Sequence, residues 1–165
     1  MDGAEVQLDW SDPSGIKLGG SVGYNDARLT SIDAGTSAAI GASPGDRLPG
    51  SSRWTASAYA EYYRTLTTDI TGSAGVTFRY QGDKPSSFPN APLDTYYLIP
   101  AYVIVDLRVG IVWKGYSFDF RVDNVGDRNG VTGYSVPAAA PGLGTAARAF
   151  LVRPRTFAFS VGAKF

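Results

Sequence analysis

Apolar and polar side chains alternate along most of this chain with a period of two, the pattern of strands with one apolar and one polar face. The alternation predicts seven strands, at about 3–10, 15–28, 52–63, 70–82, 102–113, 116–124 and 155–165. One face runs through Val6, Leu8 and Trp10, then Leu18, Val22 and Tyr24, then Trp54, Ala58 and Tyr62. It continues through Val76, Phe78 and Tyr80, Leu107, Val109 and Trp113, Tyr116 and Phe120, and Phe157 and Phe159, without a single charge. The opposite face carries Glu5, Asp9, Lys17, Glu61, Arg79, Asp106, Arg108, Lys114, Asp119, Arg121, Asp123 and Lys164. Every proline lies outside the strand cores, as a ladder that needs each N–H demands.

The connections alternate between short and long. Short turns fall at 11–14, 64–69 and 114–115, and long loops at 29–51, 83–101 and 125–154. Long loops without internal structure are unusual in compact soluble domains. Gathered at one end of a meander, they are typical of transmembrane barrels of the outer membrane, whose turns are short on the periplasmic side and long outside.

Composition agrees. Charged residues make up 18% of the chain, against about 25% in soluble domains. Lys+Arg and Asp+Glu are both 15, so no global field draws nucleic acid. There is no Cys and no His, which removes disulfides, thiolate and histidine metal sites, and the Ser-His and Cys-His nucleophile systems. An enzyme is therefore not expected, nor a metal or another cofactor. No apolar run reaches the roughly 18 residues of a transmembrane helix.

A half-buried soluble sheet also alternates, so two further features weigh in favour of a bilayer. Rings on the apolar face gather at strand ends: Trp10, Tyr62, Trp113 and Tyr116 toward the short turns, Tyr24, Trp54 and Tyr80 toward the long loops. Amphipathic rings prefer the lipid–water boundary, so this is an aromatic girdle at each interface. Strands of about ten residues, tilted near 45°, span roughly 24 Å, the height of the apolar band. The charged face then lines a lumen, where mutual pairing, such as Asp106 with Arg121 or Arg108 with Asp119, is expected before catalysis.

Parity suggests that 1–165 is a portion of something larger. Outer-membrane barrels of a single chain normally have an even strand count. An isolated sheet of seven leaves two edges that lipid does not satisfy. Met1-Asp2-Gly3-Ala4-Glu5 is not a signal peptide.

Several motifs then resemble a known family. Gly23-Tyr24-Asn25-Asp26-Ala27-Arg28, Gly45-Asp46-Arg47-Leu48-Pro49 and Trp54-Thr55 resemble the late barrel strands of TonB-dependent outer-membrane receptors. Pro100-Ala101-Tyr102 leading into Asp106-Leu107-Arg108 is similar to the family's next inward strand, and Arg153-Pro154-Arg155-Thr156 to its final one. Asp123-Asn124-Val125-Gly126-Asp127 resembles its Asn-Asn-Leu-Phe-Asp, with Val-Gly in place of the larger apolar pair. The resemblance implies an all-β, antiparallel up-and-down meander that is the C-terminal part of a 22-stranded barrel in the outer membrane of a Gram-negative cell. It implies a role in uptake of a scarce nutrient such as a ferric siderophore. The partners implied are outer-membrane lipid and lipopolysaccharide, the remainder of the barrel and its plug, TonB through that plug, and the barrel-assembly machinery, for which Phe165 is the C-terminal aromatic signal.

A small-molecule ligand is expected to meet the long loops or upper lumen. Tyr96 and Tyr97 suit stacking on a flat ligand, and Arg47, Arg148 and Arg153 suit carboxylates or phenolates. The competing reading of each is a solvated loop residue or a lipopolysaccharide contact. Asp127-Arg128-Asn129-Gly130 reads as a turn with Gly130 at positive φ, not as a calcium loop. Gly72-Ser73-Ala74-Gly75 lies in mid-strand and is no nucleophile elbow. Two other functions stay open at this point: a small structural or adhesion barrel of the outer membrane, and a soluble β-sandwich that binds carbohydrate.

Overall fold

A computed structural model describes residues 2–91, 96–135 and 148–164. Seven strands form one antiparallel sheet: β1 (Asp2–Ser11), β2 (Ile16–Asp26), β3 (Trp54–Thr67), β4 (Ile70–Gln81), β7 (Tyr102–Trp113), β8 (Tyr116–Asp123) and β11 (Thr156–Ala163). Their spatial order is their chain order, and the sheet is open, with β1 and β11 at its edges. The up-and-down meander expected from the alternation is therefore the fold. β5 (Lys84–Pro85), β6 (Leu98–Ile99), β9 (Val131–Ser135), β10 (Arg148–Leu151) and the helix α1 (Ala34–Ile40) lie in the long loops.

Register explains why the two faces stay separate. Val6 pairs with Val22, Val22 with Ala56 and Ala56 with Tyr80. Tyr80 then pairs with Val103, and further down Leu107 with Val122 and Val122 with Phe157. Apolar meets apolar across every pair of strands, because a slip of one residue would carry a whole strand's charges onto the apolar side. Among the described residues nothing covers that side. Leu8 is 74% exposed and Phe159 66%, while the buried apolar side chains among the described residues are Ala27, Ala42, Ile99 and Ile104. A sandwich would pack these rings against a second sheet, so the soluble β-sandwich alternative does not hold. The sheet is single, and its apolar face is bare among the described residues.

Local chemistry sets the turns. The Asp12 carboxylate accepts the Ser14 amide at 2.7 Å, and Gly15 takes φ 94°. Hydrogen bonds from the Ser14 hydroxyl and then its amide hold the Asp12 pKa below its ordinary value. Lys114 and Gly115 both have positive φ, 46° and 87°, the pairing of a two-residue hairpin turn that follows sheet twist.

Two expectations need correction. β3 runs to Thr67, beyond the expected 63, because Thr65 and Thr67 continue the ladder across a bulge, with Leu66 seated beside Gly72. The long loops also carry structure of their own. In the first, Asp33 accepts the Thr36 amide at 2.9 Å and starts α1, and Gly41 at φ 65° ends it. A helix of 7 residues is too short to show its period in sequence.

Candidate functional site

The polar face of β4, β7 and β8 is a lattice of ion pairs. Arg79 meets Asp106 at 2.7 Å, Arg108 meets Asp119 at 3.1 Å and Arg121 meets Asp123 at 3.0 Å. The expected pair of Arg108 with Asp119 is present. Asp106 turns to Arg79 and not to Arg121, which is held by Asp123 on its own strand. Arg108 and Arg121 stand directly opposite one another. Opposed like charges destabilise a sheet, and Asp119 and Asp123 compensate. Gly110 makes the room: a Cβ there would sit 2.7 Å from Ser73 Oγ and 2.9 Å from Asp119 Oδ1.

Toward the long loops this face opens into a cavity of about 850 Å³, lined among others by Arg79, Gln81, Tyr102, Asp106, Arg121 and Arg153. Its rim is fixed by Asn124, which is 3% exposed and sits at φ 53°. The Asn124 amide donates to Asp106 Oδ1 at 2.8 Å. Its side-chain Nδ2 donates to the carbonyls of Arg128 and Arg153, both at 3.0 Å, and its Oδ1 accepts the Arg128 amide at 2.9 Å. Asp127, at φ 48°, accepts the Arg155 amide at 2.9 Å. One buried amide thus joins β7, β8 and the approach to β11, and gives the Asn-containing motif a physical reason. The turn is not the one expected. Asn124 and Asp127 take the positive φ angles, whereas Gly130 leaves space for the Tyr102 ring, whose Cγ would lie 2.7 Å from a Cβ.

The first two long loops pack against each other. Arg47 donates to the Asp83 carboxylate at 2.9 Å, the Asp83 carbonyl at 3.0 Å and the Ser51 carbonyl at 3.2 Å. The guanidinium expected to face a ligand is thereby engaged between loops. Arg28 pairs with Asp26 at 2.9 Å, which raises the Arg28 pKa, and donates to the Gly45 carbonyl at 2.8 Å. Tyr97 meets the ring of Tyr134 of β9, with centroids 4.9 Å apart and the planes tilted by 32°. Tyr96 is exposed beside it.

Arg148 begins β10 opposite Ser135 and is exposed. Arg153 has no ion-pair partner among the described residues and reaches the cavity. The structure therefore brings Arg153 to the cavity and Tyr97 to Tyr134, with Tyr96 exposed, and leaves Arg148 apart. Phe165 lies outside the described residues. Sequence reasoning missed Tyr134, and it placed Tyr102 and Asn124 in motifs without giving either a role. The alternation Val131-Thr132-Gly133-Tyr134 was the signal for the first, hidden within a long loop.

The rings expected to form girdles lie on the apolar face, toward the ends of the strands. Tyr24 pairs with Trp54, their rings 4.8 Å apart, and Trp113 pairs with Tyr116 at the opposite end of the sheet. Trp10, Tyr62 and Tyr80 are exposed on the same face. Among the described residues no group of three acidic, His or Cys side chains is arranged to hold a metal.

The family model described as TonB dependent receptor-like, beta-barrel matches residues 1–125. Neither a curated protein nor a solved structure matches the chain.

Proposed function

The chain belongs to the TonB-dependent receptor-like β-barrel family, and we propose that residues 1–165 form the C-terminal, ligand-facing wall of an outer-membrane receptor that takes up a scarce nutrient such as a ferric siderophore. The family is one of outer-membrane receptors and transporters, not of enzymes, and works with a plug and with TonB. The observation that carries the proposal is the division of the wall into a bare apolar face and a charged face that holds a cavity near the Gln81 and Tyr102 ends of β4 and β7.

In this reading the apolar face meets lipid and the girdles sit at the two interfaces, with lipopolysaccharide around the outer one. The charged face meets the plug, β1 and β11 pair with the rest of the barrel, and Phe165 serves the assembly machinery. Loops 29–51, 83–101 and 125–154 are extracellular. Arg153 and the exposed Tyr96 and Tyr97 are the first candidates to hold a small-molecule ligand, by charge and by stacking.

The chain has no Cys, so single cysteines report cleanly on topology. Ser43→Cys, in the first long loop, should react with an impermeant maleimide on intact cells. Thr68→Cys, in a short turn, should react only after the outer membrane is opened. The reverse pattern would overturn the orientation, and equal labelling of both on intact cells would overturn the membrane reading.

A further inference from the structure

We propose that Arg108 and Arg121 form a two-pronged clamp for one carboxylate, carried by an acidic residue of the plug. The clamp rests on the reading above that the charged face meets a plug, and it names the chemistry of that contact. Arg108 and Arg121 are direct partners across β7 and β8, in the row Gly75, Arg108, Arg121, Ala158. Their row neighbours carry a hydrogen atom and a methyl group, too small to cover a guanidinium.

The formal balance of charge on this wall hides an uneven surface. Arg79, Arg108 and Arg121 are each ion-paired, yet their side chains are 59%, 53% and 55% exposed. Their partners Asp106, Asp119 and Asp123 are 16%, 37% and 24% exposed. The acids lie low: Asp106 also accepts the Asn124 amide, and Asp119 reaches the bare backbone of Gly110. The lumen therefore meets the cations first. A guanidinium has five N–H donors. Among the described residues Arg108 directs two nitrogens at Asp119 and Arg121 one at Asp123. Cross-strand partners stand about 5 Å apart at Cβ, and like charges so placed repel. A carboxylate between the two takes donors from each and relieves that repulsion.

Depth points to a resident of the lumen as the occupant. Arg108 falls midway along β7, between Tyr102 and Trp113, and lines the cavity from below its Tyr102 end. A group held there belongs to a domain inside the barrel, not to a solute at its mouth.

The test uses the full receptor in outer-membrane vesicles. Arg108→Lys keeps the charge and supplies a primary amine. A carbodiimide joins that amine to a carboxylate in contact with it, forming an amide and taking up the water as a urea. Peptide mass spectrometry should find position 108 linked to an Asp or Glu of the plug. Linkage to Asp119 alone would overturn the clamp, and so would linkage to a small acid and to no plug peptide. Arg121→Lys serves in the same way if Arg108→Lys fails to assemble.

Arg108→Gln combined with Arg121→Gln should speed amide hydrogen exchange roughly tenfold in the linked plug segment. Unchanged exchange there would also overturn the clamp. Amides of β4 and β7 are the control for barrel assembly. Protection of plug amides in the unsubstituted receptor reports separately that the plug is seated. An unseated plug would sink the reading above together with the clamp, whereas a seated plug with no link to position 108 would sink the clamp alone.

Discussion

The ring of Tyr59 lies across the bare backbone of Gly19: a Cβ at Gly19 would stand 2.6 Å from Tyr59 Cζ. The ring crosses a whole strand this way and donates its hydroxyl to Asp9 on β1 at 2.8 Å. Glycine weakens a strand through its backbone freedom, and here it is the groove in which an aromatic side chain ties three strands together. Gly19→Ala and Tyr59→Phe should each break the same hydrogen bond. The double variant should therefore unfold at the same temperature as the weaker single one. Heat-modified electrophoretic mobility of the membrane-assembled protein reads this, and additive losses would refute the tie.

Leu107 and Ser117 sit on opposite faces of neighbouring strands. Leu107→Arg sets a charge toward mid-bilayer at a cost of about 2–4 kcal/mol and should block assembly. Ser117→Arg faces the lumen and should be far milder. Recovery of folded protein from the outer membrane separates the two, and equal yields would reverse the face assignment.

Asn124→Gly keeps the positive φ and removes the side-chain amide. It leaves the Arg128 amide and the Arg128 and Arg153 carbonyls without their partner, at about 1–3 kcal/mol for each group that water does not reach. The approach to β11 should become protease-sensitive while β1 to β4 stay protected. Limited proteolysis that finds no new cleavage near Arg153 would contradict the role of the clip.

The pH dependence of α1 follows from its N-cap residue, Asp33. Hydrogen bonds from Thr36, first its side chain and then its amide, hold the Asp33 carboxyl below its ordinary value, about 3.9 when unfolded. A depressed carboxylate stabilises the folded loop above the unfolded pKa, and that contribution is lost as pH falls through the folded pKa. Exchange at Ser37 and Gly41 should be independent of this group near neutrality and rise below about pH 4 relative to Asp33→Asn. An identical acid response in both proteins would count against the cap.

Lys114 bears positive φ without the tolerance of Asn or Gly, and its ion pair with Asp69 spans 3.7 Å between exposed groups. Lys114→Asn creates the Asn-Gly pair favoured in this turn and should raise the unfolding temperature slightly. A fall would show that the pair with Asp69 contributes more than the turn strain.

The sheet was legible in the sequence because period two is a local property, and each strand wrote its own faces. Leu107 and Asp106 announce their sides without knowledge of any neighbour. What a charge meets across the sheet is less readable. Asp106 has a strand on either side, and the choice of Arg79 over Arg121 depends on register and on Asp123. Contacts between loops were less readable still. Arg47 and Asp83 are far apart in the chain, and the periodicity of either loop says nothing about the other. Short elements failed for a related reason, since α1 and β9 are briefer than the windows in which their patterns stand out.

A wall whose apolar side chains touch a fluid follows different rules of substitution from a packed interior. Hydrocarbon chains flow around whatever contour they are offered, so methyl, isobutyl and phenyl groups at Ala58, Leu107 or Phe159 are nearly interchangeable there provided none carries charge. On the polar face the reverse holds, where Gly19 and Gly110 are fixed by volume while the signs of the neighbouring groups have room to trade. Drift among related sequences should therefore be loose in size and strict in polarity on one side of each strand, and strict in size and looser in polarity on the other.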